Sequence, residues 1–187
     1  MSLPPEVFVE IAHFVRGGFE DRDSIVEILL QDLYDPGELD EALVTRAIDE
    51  ALRKHEEHKR HWPAVTDCDR LESVFNDLNR QGIIALHNAG YTQSDGYDDV
   101  SQALAEHPAP DTVAGYCFYH GQDLERVLQG GGLLLSFGPL DPRAKATEGP
   151  RIGAKIADAL RQAGFAVEWD GTFSKRIFLP DFDWKKR

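Results

Sequence analysis

Apolar positions recur at helical spacing through the first third of the chain. Val7, Ile11, Phe14 and Val15 fall on one face of a segment from Pro4 to Val15, and Gly17-Gly18 ends it as a left-handed cap. Asp23 or Ser24 caps a second helix whose Ile25, Ile28, Leu29 and Leu33 form a stripe, broken at Asp35-Pro36-Gly37. A third helix runs from Glu38 to about His61, with Leu43, Ala47, Ile48, Ala51 and Leu52 on one face and charged residues on the other. Trp62-Pro63 stops it, because proline disfavours helical geometry in the residue before it.

Beyond that joint, Thr66 is placed to cap a helix carrying Leu71, Val74, Phe75 and Leu78, closed by Gly82. The apolar rhythm then changes. Ile83 to Leu86 reads as a buried strand, followed by a loop from Tyr91 to Gly96 and a helix with Val100, Ala103 and Leu104. Thr112 to Tyr119 is a second strand, a short helix carries Leu124, Val127 and Leu128, and Gly131 to Phe137 is a third strand. A last amphipathic helix, Gly149 to Ala163, precedes a hairpin of Phe165 to Trp169 and Arg176 to Leu179 across Asp170-Gly171. The predicted fold class is α+β: a mixed sheet of about five strands covered by helices, with an N-terminal three-helix layer. The predicted organisation is a helical subdomain over residues 1–62 and an α+β sandwich over 63–187, joined in one body.

Composition narrows the function classes. The chain has 187 residues, with 33 acidic against 20 basic and a formal charge of −13. Such a charge repels phosphate backbones and anionic membranes, so neither nucleic acid nor a membrane is an expected partner. Cys68 and Cys117 form no paired framework, Met1 to Glu10 has no signal-peptide pattern, and no run of about 18 apolar residues occurs, which together predict a cytoplasmic protein.

Candidate chemistry is sparse. His55, His58 and His61 lie three apart, whereas two imidazoles reaching one ion from one helix face need a spacing of four, so no metal site is expected there. The triple glycine at 130–132 lacks the lysine and hydroxyl of a phosphate loop, and no nucleophile elbow or paired cysteine motif is present, so no cofactor is predicted. Polar residues do gather where strands end. If the strands at Ile83 and Thr112 are parallel neighbours, His87, His120 and Asp123 could act as acid and base groups in one cleft. Asn88, Tyr91, Thr92, Ser94, Asp95, Tyr119 and Gln122 would line it. The competing reading is that Gln122 and Asp123 cap a helix, Asn88 and Gly90 turn the chain, and the histidines bond locally.

Three segments resemble a bacterial family known only as a domain of unknown function: Trp62 to Leu71, Asn88 to Gly96, and Gly115 to Asp123. Some relatives carry a cysteine-rich segment in place of the Asn88 to Gly96 loop, which implies metal binding there, but this chain has no cysteine in that loop. Phe165 to Thr172, following an amphipathic helix, is similar to the close of the ribonuclease E inhibitor B family, acidic regulators with a ferredoxin-like sandwich; the likeness implies an α+β sandwich. High acidity, missing motifs and this regulator-like ending predict a binding or regulatory module acting on another protein. The alternative is a hydrolase or transferase using His87 or His120 as base and Asp123 as its orienting carboxylate.

Overall fold

In a computed structural model, residues 2–187 are described, and they form two compact units: the residues up to Thr66 together with Trp184–Arg187, and Asp67–Asp183. The fold is mixed α+β, with seven α-helices and a four-stranded sheet among the described residues.

The first unit is helical. Helix α1 (Pro5–Gly17) ends at Gly18, and α2 (Arg22–Glu27) is capped by Asp21, whose carboxylate accepts from Ser24 N at 2.8 Å. A π-helical segment, Ile28–Leu33, continues α2, and α3 spans Glu41–Lys59. Val7, Ile11, Ile25, Leu29, Val44 and Ile48 form the core of this unit. Leu33 does not continue the predicted stripe: it is half exposed, because the i→i+5 turn rotates later side chains away from the face that Ile25 and Leu29 bury. The chain's end belongs here, with Trp184 Nε1 donating to Arg16 O at 3.1 Å. This unit has a hydrophobic core of its own.

The second unit is built on a sheet of order β1-β2-β3-β4. Strand β1 (Ile83–Leu86) follows α4 (Asp67–Arg80) and pairs in parallel with β2 (Gly115–Phe118) through the crossover helix α5 (Gln93–Glu106), as parallel neighbours require. Helix α6 (Gly121–Leu128) leads to β3 (Leu133–Pro139), antiparallel to β2, and α7 (Lys145–Gln162) leads to β4 (Ile177–Leu179), antiparallel to β3. Side chains alternate across the sheet. Cys117 and Phe137, direct partners, lie on the side of α4 and α7, while Ile84, Tyr116 and Phe118 cluster with Val100 on the side of α5.

The sheet has four strands, not the five expected. Phe165 to Trp169 contributes a single bridge, Glu168 to Phe178, in place of a ladder. Phe165 instead stacks on Phe182 at 5.6 Å and lies under the Arg70 guanidinium at 4.5 Å. Trp169 turns its indole N–H to the carbonyls of Thr172 and Lys175, at 2.9 and 3.2 Å, so the connection is a wide loop held by a side chain and not a tight Asp-Gly hairpin. Residues 110–112 likewise form a 3₁₀ turn in front of β2, which shortens the strand predicted from Thr112.

Gly96 sets the distance between α5 and the sheet. A Cβ there would lie 2.3 Å from the Phe118 ring. Gly96→Ala is expected to cost about 1–2 kcal/mol by overpacking, net of the better helix propensity of alanine, and denaturant unfolding measures it.

Candidate functional site

The two parallel strands β1 and β2 end at the same edge, so the residues that follow them are neighbours. The loops leaving them are stitched together: Ala89 N donates to Tyr119 O at 2.9 Å, Gly121 N to Gly90 O at 2.9 Å, and Gln122 N to Tyr91 O at 3.1 Å. The loop from Tyr91 to Gly96 thus meets the strand end at His120. Contact is so close that a Cβ on Gly121 would lie 2.7 Å from the Tyr91 ring.

Most of the polar residues predicted to line a cleft serve these loops. Thr92 and Asp95 form a capping box on α5, with Thr92 N donating to Asp95 Oδ2 at 2.8 Å and Asp95 N to Thr92 Oγ1 at 3.4 Å. The Thr92 donors hold the Asp95 carboxyl below its usual range. Tyr91 is exposed and its hydroxyl donates to Glu125 at 3.1 Å; partial burial and then that carboxylate push the phenol up. Asn88 takes positive φ, 47°, at the turn out of β1.

The predicted acid and base groups are divided between two faces, because consecutive residues of an extended chain point to opposite sides. His87 and Tyr119 lie on the α4 side. His87 packs on Phe75 with ring centroids 4.5 Å apart, its Nδ1 lies 3.0 Å from the Tyr119 hydroxyl and its Nε2 3.1 Å from Glu72 Oε2. Burial raises the Tyr119 phenol well above its ordinary value, Cys68 and Glu72 add to that, and the Asn88 N–H bonded to it opposes.

His120 and Asp123 lie on the other face, both nearly inaccessible. Asp123 Oδ2 accepts from His120 N at 3.2 Å, sits 3.2 Å from His120 Nε2 and takes a hydrogen bond from Arg176 Nη2, which also donates to Leu134 O at 3.1 Å. The His120 ring faces the Asp123 N–H in capping-box fashion, but that N–H donates to the His120 carbonyl at 2.9 Å and Nδ1 makes no hydrogen bond of its own. Desolvation lowers the His120 pKa; Asp123 opposes this and Arg176 reinforces it. The ring is thus a neutral imidazole with its N–H toward Asp123 and its lone pair at Nδ1.

Sequence reasoning missed Arg176, Glu72 and Ser136. Arg176 lies 53 residues from Asp123 and reads as the first residue of a strand, Glu72 as one more charge on a solvated helix face, and Ser136 as an interruption of an apolar run. No local pattern connects them. Arg176 also floors a surface groove that Arg126, Lys175, Trp169, Phe178 and Leu134 line and that Glu168 and Asp170 border. The Arg126 guanidinium lies over the Phe178 ring at 5.6 Å.

Among the described residues, no group of three His, Cys, Asp or Glu side chains is arranged to hold a metal ion, and no helix is long and apolar enough to cross a membrane. His55, of the three spaced histidines, meets Trp62 edge-on at 5.3 Å. No curated protein and no solved structure is significantly similar to the chain. A family model does match, over residues 4–187, and on that match the chain belongs to DUF6891, a domain of unknown function.

Proposed function

We propose that this chain is a binding or regulatory module that recognises an acidic segment of another protein through the groove floored by Arg176. The observation that carries this reading is the gathering of Arg126, Lys175 and Arg176 around Trp169 and Phe178 in a chain whose net charge is −13. Arg176 is fixed from behind by buried Asp123, so its guanidinium is ordered before any partner arrives, which lowers the entropic cost of binding. Glu168 and Asp170 on the border favour a partner that sets its acids against the three cations alone; the Asp170 carboxylate is already engaged by Thr172 N and Oγ1 at 2.9 and 2.7 Å. Two free thiols support a reducing compartment, and we place the protein in the cytosol.

The test is charge reversal at the rim. Arg126 and Lys175 are both exposed, and Arg126→Glu combined with Lys175→Glu gives up only the Arg126 bond to Gly131 O and its contact with the Phe178 ring, so the circular dichroism should be unchanged. Proteins captured reproducibly by the wild-type chain at moderate salt are expected to be lost with this variant, and identical capture by the two would overturn the reading. A second reading, a hydrolase or transferase, rests on the free Nδ1 of His120 with Asp123 at Nε2, the arrangement of a general base and its orienting carboxylate.

A further inference from the structure

Three buried polar atoms on the α5 side of the sheet make no hydrogen bond within the protein: His120 Nδ1, Ser136 Oγ and Arg176 Nε. They are neighbours. Ser136 lies opposite Phe118 on β2, and continuing the β3–β4 register one step beyond Leu135 and Ile177 sets Arg176 opposite Ser136. His120 is two residues past Phe118 on the same face, and Asp123 ties it to Arg176. His120 and Ser136 are 4% and 2% exposed, so bulk water does not satisfy them. A buried polar atom left without a partner is destabilising, and three in one place weigh heavily on a domain unless something pairs them.

The chemistry of the three atoms limits what that partner is. Arg176 Nε–H donates, the Ser136 hydroxyl donates, and His120 Nδ1 donates only when protonated. Arg176 and Asp123 cancel in charge, so an entering monoanion is balanced by one proton on His120. The charged groups facing His120 are Asp123 from α6, Asp95 from α5 and Arg176 ahead of β4. A planar carboxylate, with two oxygens, suits a set of neighbouring donors of this kind, whereas a phosphate dianion would need a further cation. We infer that His120, Ser136 and Arg176 form a binding site for a small carboxylate monoanion, taken up together with one proton at His120. Of the three residues, Arg176 lines the surface groove, so a ligand would enter from that side. The site does not depend on whether the rim of that groove takes a protein.

Formate is the probe. It is titrated into the full chain between pH 5 and pH 8 while the His120 ring resonances are followed by NMR. A saturable shift is expected, with the dissociation constant rising about tenfold per pH unit above the unliganded His120 pKa. Ser136→Ala removes an unpaired hydroxyl, so it should fold as well as wild type, yet bind formate about tenfold more weakly. No saturable shift, an affinity independent of pH, equal affinity in Ser136→Ala, or tighter binding of inorganic phosphate than of formate would each overturn the inference; the first is the result if only an ordered water pairs these atoms. The Arg126→Glu, Lys175→Glu chain should still bind formate. Loss of partner capture with formate binding intact, or the reverse, tells the two proposals apart.

Discussion

Asp123→Ala is expected to destabilise the second unit by about 3–5 kcal/mol, the largest effect of any single substitution proposed for this chain. The Asp123 carboxylate, 4% exposed as a side chain, is the common acceptor for His120 N and Arg176 Nη2 and the partner of His120 Nε2. Alanine leaves a quarter-exposed arginine with only the Leu134 carbonyl at Nη2, and leaves the buried imidazole with no acceptor at all. Asp123→Asn keeps the shape and one acceptor oxygen, and should lose about half as much. Hydrogen exchange of β2 and β3 amides is the appropriate measurement, since it reports this unit without assuming that both units unfold together. The same exchange carries a pH signature. Burial depresses the folded pKa of His120 below 6.5, so on acidification the unfolded chain takes up the proton first. Its stabilising contribution is present above about pH 6.5 and is lost as the pH falls through the folded value. Formate should delay that loss, because it favours the protonated ring in the folded protein.

The second largest effect is expected at Asn79, near the end of α4. Its side-chain amide donates to Ala85 O at 3.1 Å and accepts from Ala85 N at 2.9 Å, satisfying both backbone groups of an edge-strand residue at once. Asn79→Ala removes two hydrogen bonds worth about 1 kcal/mol each and leaves their backbone partners to whatever solvent can reach, for a total of about 2–3 kcal/mol. Asn79→Asp keeps the acceptor but sets a carboxylate against the Ala85 carbonyl, and should recover less than half of the loss. Urea unfolding of the three proteins gives the ranking. Light scattering should also show concentration-dependent association of Asn79→Ala, because an uncovered sheet edge is a template for another strand.

Where the sequence was informative, the reason is local. The two apolar runs and the helix between them were legible from Ile83 to Leu86, from Val100 with Ala103 and Leu104, and from the apolar stretch ending at Phe118, whereas their parallel pairing was only a condition, since β2 and β3 also flank a helix and run antiparallel. The turn chemistry of Thr92 with Asp95 was equally local. What failed was tertiary. Alternation already requires Tyr119 and His120 to face opposite sides, so a single cleft containing His87, Tyr119 and His120 conflicted with the period of the strand that carried it. The fifth strand failed for another reason: Phe165 and Trp169 have strand-like chemistry, but each found a better partner, in Phe182 and Arg70 and in the carbonyls of its own loop. Arg176 could not be assigned a role from its neighbours because its acceptor is distant in the chain.

The lone bridge at Glu168 has a further consequence. Both backbone bonds of that bridge, 2.9 and 3.0 Å, are spent on Phe178, and the next outward-facing position of β4 is Pro180, which has no N–H to offer. With Ala85 bonded to the Asn79 amide on the opposite flank, the centre of each edge strand already has its main-chain groups engaged, which disfavours a guest polypeptide joining as an extra strand. If the groove around Arg176 takes a partner as proposed, side chains would do the reading, and point substitutions there should change specificity without altering how the sheet itself is laced.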